Sequence, residues 1–197
     1  RLSIEGMKLA DDPLYIDDSE APTIYELRAR ARREVRKHGI KCIMVDYLGL
    51  IRVAGTTIRS RENEVGMVSR GLKAMAMELD IPVIAAAQLN RLTENRGDAR
   101  PKLSDLRDSG SLEQDADIVT TIYRGAYYEH TDAGTEPQEA EWTLAKHREG
   151  KTGTMHLVWH PEWTRFDTAQ IARLTDEPPV QEAKTPDLHD IYAAINE

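Results

Sequence analysis

The sequence predicts an α/β fold: a mostly parallel sheet flanked by helices, with an antiparallel hairpin on its carboxyl-terminal side. Three observations carry that expectation. Cys42-Ile43-Met44-Val45 is a continuous apolar run closed by Asp46, the pattern of a strand buried on both faces in a parallel sheet. A segment of helical periodicity follows, and then a second apolar run, 81–87, so that strand, helix and strand recur as in a parallel crossover unit. Further on, residues 141–146 and 154–159 alternate apolar and polar, as half-buried antiparallel strands do.

Composition sets the limits. A chain of 197 residues, 40% hydrophobic and 30% charged, is large enough for one domain with a good core and has the balance of a soluble globular protein. No apolar run approaches a membrane span, and no basic-then-apolar leader opens the sequence, so no membrane partner is expected. The single cysteine, Cys42, excludes an intramolecular disulfide and is expected in the core strand; a cytoplasmic protein is the simplest reading. The net charge of −8 argues against a uniformly basic nucleic-acid binder. The charge is uneven: 169–197 holds six acids and two bases, or −4 of the total. Two regions are therefore expected, a folded domain at 1–168 and an acidic, flexible tail at 169–197 with a short helix at 188–195. The first residue is Arg1 and not Met, as in a fragment or a processed product.

Residues 1–12 show no decisive pattern. Leu14-Tyr15-Ile16, followed by Asp17-Asp18, is expected as a core strand with acids at its end. Thr23 with Glu26 three residues later forms a capping box, Ile24, Leu27, Ala31 and Val35 follow at helical spacing, and Gly39 suits the C-cap. The other face of that helix carries Arg28, Arg30, Arg32, Arg33, Arg36 and Lys37: a solvated face, or a surface for DNA or a partner subunit. After the apolar strand comes a polar, basic stretch, 52–61. Val65, Val68, Leu72, Met75 and Leu79 then mark a helix over 63–80, with Met67, Met75 and Met77 as core or flank filling. Residues 89–102 form a loop rich in Arg91, Arg96, Arg100 and Lys102, and a loop of this length is often functional. Residues 104–117 combine a turn at Gly110 with short helical pieces, 118–123 is a β-branched strand, and 124–138 is a polar loop. Trp163 and Phe166 are expected at the sheet edge.

The chemistry gathers at strand ends. Right-handed crossovers put Asp46 and Gln88, each at a strand's carboxyl end, on the same edge of a parallel sheet, where open α/β sheets bind ligands. An acid there helps hold Mg²⁺ beside phosphates in nucleotide hydrolases, whereas a strand merely ending at a solvated Asp needs no ligand. Gly150-Lys151-Thr152 mimics the end of a phosphate-binding loop, but Ala145 stands where that motif needs glycine and the next residues alternate as a strand. The motif requires a strand before it and a helix after it, so it is a decoy. Lys146 and Arg148 project from a strand end and its loop, as exposed hairpin bases or as cations able to reach a phosphate.

Several segments together resemble one family. VDYLGLI (45–51), SRGLKAMAMELDIPVIAAAQLNR (69–91), RPKLSDLRDSGSLEQDADIV (100–119) and KHREGKTGT (146–154) are similar, in order and spacing, to the carboxyl-terminal domain of bacterial and phage DnaB-type replicative DNA helicases. LYIDD (14–18) and TIYELRARAR (23–32) fit the same family, and the resemblance covers roughly 12–168. It implies a RecA-like P-loop NTPase core, a homo-hexameric ring and ATP- or other NTP-driven 5′-to-3′ travel on single-stranded DNA with duplex unwinding. It also implies a primase and a helicase loader as partners, and the cytoplasm of a bacterial cell or phage-infected host as location.

By position, the resemblance makes Asp46 the acid that orders Mg²⁺ through water and Gln88 the sensor of the γ-phosphate. It makes Arg107, Asp108 and Gly110 the loop that grips the DNA backbone. The family often has Glu at the position of Asp108, a departure that leaves the role in place. Lys146 and Arg148 become the pair offered to the neighbouring subunit's nucleotide, with Arg148 as arginine finger. The bases of 89–102 are further candidates for facing DNA, with salt-dependent binding. No GxxxxGK[ST] precedes Asp46, although the family places one upstream together with the catalytic Glu. The core is therefore expected to be incomplete on its amino-terminal side, and the chain alone to be inactive. The alternative is a non-catalytic remnant or split half that binds a P-loop-bearing partner or a helicase ring. A recombinase or clock-type ATPase shares the fold, but the SDLRDSGSLEQDAD block (104–117) argues against it.

Overall fold

In the computed structural model, which describes residues 12–54, 61–90, 96–129 and 134–168, a capping box opens the first helix, α1 (Ile24–His38). The Thr23 hydroxyl accepts from the Glu26 amide, and the Glu26 carboxylate accepts from the Thr23 amide at 2.8 Å. Two of the amides that a helix start leaves unpaired are thereby satisfied. Gly39 closes the helix at φ 67°, donating its amide to the Val35 carbonyl at 2.9 Å; only glycine takes that left-handed cap without steric cost. The first strand, β1 (Ile43–Val45), pairs in parallel with β2 (Val83–Ala85), in the register Ile43↔Val83, Met44↔Ile84 and Val45↔Ala85. Between them runs α2 (Arg61–Leu79), the longest helix among the described residues.

The chain divides into two units, Arg1–Gln88 with Asp108–Asp115, and Leu89–Arg107 with Ala116–Glu197. In the first, Ile24, Leu48, Ile51, Val68, Leu72 and Met75 form the core, with Leu27, Ile43, Val45, Val83 and Ala85 packed against it. Helices α1 and α2 are also joined by charge: Arg28 and Arg32 both donate to Glu78, at 2.7 and 2.6 Å. Arg30 pairs with Asp17, and Arg33 with Glu34. Much of the basic face of α1 is thus occupied within this unit. A short helix, α3 (Gly110–Asp115), is tied to α2 where the Ser69 hydroxyl donates to Asp115 at 2.7 Å.

In the second unit a four-stranded antiparallel sheet runs in the order β3 (Ile118–Arg124), β4 (Gln138–His147), β5 (Gly153–His160), β6 (Arg165–Thr168). A bulge sits between Val119 and Thr120. A one-turn helix, α4 (Gly125–Tyr128), occupies part of the expected 124–138 loop. Phe166 of β6 packs on Trp159 at 4.6 Å between ring centres, and Trp163 stacks on His160 at 5.0 Å, so both aromatics do lie at the sheet's edge strand.

The α/β class holds, with differences of detail. The antiparallel part is larger than a hairpin, because β3 and β6 flank it, and the parallel part among the described residues is β1 and β2. Their apolar runs are covered on one face only: Met44 is 77% exposed and Ile84 53%. The helices named above cover the face that carries Ile43, Val45, Val83 and Ala85. Cys42 is exposed and not in the core. Leu14, Tyr15 and Ile16 are exposed and form no strand, since β propensity makes a strand only where another strand pairs with it. Met75 is buried, but Met77 points outward. Gly150-Lys151-Thr152 leads into β5, not into a helix. The expected tail at 169–197, Arg91 and the segment 1–11 lie outside the described residues.

Helices α1 and α2 approach closely at Gly71, where an added Cβ would overlap the buried Ile24 side chain. Alanine would gain about 1 kcal/mol of helix propensity, whereas overpacking costs about 1–3 kcal/mol. Gly71→Ala is therefore expected to lower stability in chemical denaturation, and less so in an Ile24→Val background, which removes a methyl group near the clash.

Candidate functional site

The carboxyl edge of the parallel pair is built by three backbone hydrogen bonds. The Ala86 amide donates to the Val45 carbonyl at 2.9 Å, and the Leu48 amide returns to the Ala86 carbonyl at 2.9 Å. The Leu50 amide then donates to the Tyr47 carbonyl, within a 3-10 turn at Leu48–Leu50. Asp46 is therefore held at the strand end with its exposed carboxylate clear of the core. Gln88 lies three residues beyond β2, also exposed. The structure brings these two residues to one edge of one sheet, as the spacing predicts. The Asp46–Tyr47 peptide is cis.

Arg107 and Asp108 fall in a 3-10 turn, Leu103–Ser109, and Gly110 opens α3. The turn begins at a hub. The Asp105 carboxylate accepts from both terminal nitrogens of Arg96, at 2.9 and 2.7 Å, and from the Lys102 amide at 2.7 Å. The Asp105 carbonyl accepts from the Asn90 amide at 3.1 Å. Five residues earlier, Arg100 makes a fork with Glu141 on β4, Nε to Oε2 at 2.9 Å and Nη2 to Oε1 at 2.7 Å. Its guanidinium lies 4.9 Å from the centre of the Tyr123 ring. Hydrogen bonds from Arg100 hold the Glu141 carboxyl below the ordinary glutamate range, against the opposing effect of burial. Arg96 and Arg100, expected among bases facing DNA, are thus engaged with carboxylates of their own unit. Asp105 and Glu141 escaped sequence reasoning: Arg100 and Glu141 are 41 residues apart, and no periodicity links them.

Lys146 and Arg148 leave the end of β4 together. Lys146 Nζ donates to the Ala116 carbonyl at 2.7 Å. Arg148 donates its amide to the Asp117 carbonyl at 2.9 Å and its guanidinium to the Asp117 carboxylate at 3.3 Å. The Arg148 and Asp117 side chains are 65% and 52% exposed. An ion pair that open contributes at most about 1 kcal/mol, whereas a guanidinium–phosphate fork is shorter and stronger. Arg148 is therefore rooted by its backbone while its head remains exchangeable. Asp117, its resting partner, is the other group that the sequence did not single out.

A family model for the DnaB-like helicase C terminal domain matches residues 1–168. The replicative DNA helicase DnaB of Rickettsia bellii is 44% identical over 185 residues, covering 84% of this chain and 37% of that protein. The protein of the same name from Geobacillus stearothermophilus is 41% identical over 178 residues, covering 87% of this chain and 39% of its own length. The chain thus spans little more than a third of the curated relatives that it matches. Among solved structures, an isolated ATPase domain superposes with a TM-score of 0.76 at 39% identity, over 85% of this chain and 58% of that one. A DnaB-like replicative helicase, solved in a study of its interactions with primase, gives 0.75 at 40% identity over 84% of this chain and 39% of that one.

The Arg100–Glu141 fork has a pH signature. A carboxylate whose folded pKa is depressed adds stability above its unfolded value, near about 4.3, and that stability is lost as pH falls through the folded value. Glu141→Gln is expected to flatten the fall in stability below about pH 4.3 and to lower stability at neutral pH, as read from urea midpoints across the pH series.

Proposed function

The chain belongs to the DnaB-like helicase C-terminal domain family, and on that premise we propose that it forms part of a replicative helicase motor. In that motor a homo-hexameric ring couples ATP hydrolysis to 5′-to-3′ travel on single-stranded DNA and to duplex unwinding, with primase and a helicase loader as partners. The observation that carries this is the shared edge of Asp46 and Gln88 at the carboxyl ends of β1 and β2, the place where α/β sheets bind ligands.

The residues present fit one side of a magnesium–nucleotide site. Asp46 offers an exposed hard oxygen donor, and magnesium characteristically takes one or two carboxylates and keeps several waters. The cradle for the phosphates is not in this sequence: it contains no GxxxxGK[ST], and Gly150-Lys151-Thr152 opens a strand. Magnesium there would neutralise charge on the β- and γ-phosphate oxygens. Asp46 orders the metal's water shell, and the Gln88 amide, on the same edge, reads the terminal phosphate. Arg148, with Lys146 beside it, exchanges Asp117 for a nucleotide on the neighbouring subunit and stabilises the charge of the departing phosphoryl group, an effect worth about 10³–10⁵ in kcat for arginine fingers. Arg107, Asp108 and Gly110 grip the DNA backbone.

A second function is favoured by the same missing cradle: a split half, without catalysis of its own, that completes a P-loop-bearing partner or caps a ring. Co-purification with such a partner supports it.

The purified 197-residue chain is expected to show no steady-state ATPase and no unwinding. Turnover by this chain that Asp46→Asn abolishes would overturn that expectation. In rings that do carry a P-loop, Arg148→Ala is expected to lower kcat by about 10³ or more, while Asp117→Asn leaves it within about threefold, because the exposed pair adds little.

A further inference from the structure

Four bases of the loop before Leu103–Ser109 were candidates for touching DNA, and the structure commits two of them elsewhere. Arg96 forks onto Asp105, whose side chain is only 9% exposed. Arg100 forks onto Glu141, whose side chain is 19% exposed, and covers the Tyr123 ring. A bidentate guanidinium–carboxylate pair fixes direction as well as distance. Each guanidinium would have to leave a largely covered carboxylate unpaired in order to reach a phosphate, and uncompensated buried charge is costly. The two forks also act in series. Glu141 anchors Arg100 to β4, the Arg100 carbonyl accepts from Arg96 at 3.3 Å, and Arg96 holds Asp105, two residues before Arg107.

We propose that Arg100 and Arg96 are positioning residues: through Glu141 and Asp105 they hold the loop that presents the Leu103–Ser109 turn, and they make no contact with DNA phosphates. The role of that turn in DNA binding rests on the proposed function; the anchoring does not. It follows that the DNA-facing charge in this region is carried by the turn and not by these two arginines. It also follows that reversing the polarity of a fork leaves the loop in place.

The test is a charge swap in the 197-residue chain: Arg100→Glu, Glu141→Arg and the two combined, with melting temperature confirming that each folds. Hydrogen exchange at the Asn90, Lys102 and Asp105 amides, whose bonds close the hub, reads the anchor. Exchange is expected to quicken about tenfold in each single variant and to return to within about threefold of wild type in the double variant. Anisotropy of a fluorescein-labelled oligothymidylate at fixed low salt reads DNA binding: each single variant is expected to weaken it, and the double variant to restore it. Single variants with unchanged exchange, or a double variant that stays open, overturn the proposal. So does binding weakened by Arg100→Glu, unharmed by Glu141→Arg and not rescued by the pair, which is the pattern of a direct phosphate contact. Should Arg100→Glu not fold, Arg100→Gln and Glu141→Gln give the same exchange comparison, with equal opening expected from either side of the fork and opening by only one contradicting it. Restored exchange together with Arg107→Ala that leaves binding unchanged supports the anchor and removes the DNA assignment of the turn.

Discussion

Pairing Ile43–Val45 in parallel with Val83–Ala85 constrains everything in the first unit. Parallel neighbours cannot be joined by a tight turn; they need a crossover of a dozen or more residues, and α2 supplies it. The crossover brings Val68, Leu72 and Met75 onto Ile24 and Leu48, and the glycine at 71 lets α1 approach. The same register sends both chains out over one edge. There the bonds from Ala86 to Val45 and from Leu48 to Ala86 turn the backbone, so that Asp46 is left outside the core. The chemistry of the edge is thus a consequence of strand direction: were the pair antiparallel, Asp46 and Gln88 would stand at opposite ends.

The second unit answers a different requirement. Its antiparallel strands β3 to β6 can be joined locally, and their rigidity presents charges at defined places. At the end of β4, Lys146 and Arg148 are rooted on residues 116 and 117. At its middle, Glu141 holds Arg100. The contrast between these cations is one of exposure. Arg148 faces an acid that is itself more than half exposed and can exchange it, while Arg96 and Arg100 are held by carboxylates that are largely covered. Charge alone made all of them candidates for phosphate; the environment of the partner separates them.

What was legible in the sequence was local or periodic. Thr23 with Glu26, the glycine at 39, the spacing of Val68, Leu72 and Met75, and the alternation along β4 and β5 each act within a few residues, and each was found where expected. The position of Asp46 and Gln88 followed from one rule about strand direction. Coverage was not legible. Met44 and Ile84 are as apolar as their neighbours, and nothing in the run records that only one face meets helices. Leu14-Tyr15-Ile16 has strand composition but no strand pairs with it among the described residues. The forks at Arg96 and Arg100 join acids 9 and 41 residues away, and no spacing rule reports such a pair. The assignments to DNA and to a neighbouring subunit came from the family resemblance and not from periodicity.

The central claim is that one nucleotide site is assembled from Asp46 of one subunit and Arg148 of the next, across a head-to-tail interface. It is tested most directly by mixing two inactive variants, Asp46→Asn and Arg148→Ala, in rings that carry a P-loop. In a randomly mixed ring about a quarter of the interfaces join an intact Asp46 to an intact Arg148. The account predicts that ATP turnover reappears on mixing and is greatest near equal proportions. Mixed rings as inactive as either parent, under conditions where subunits demonstrably exchange, would contradict it and place both residues at a site within a single subunit.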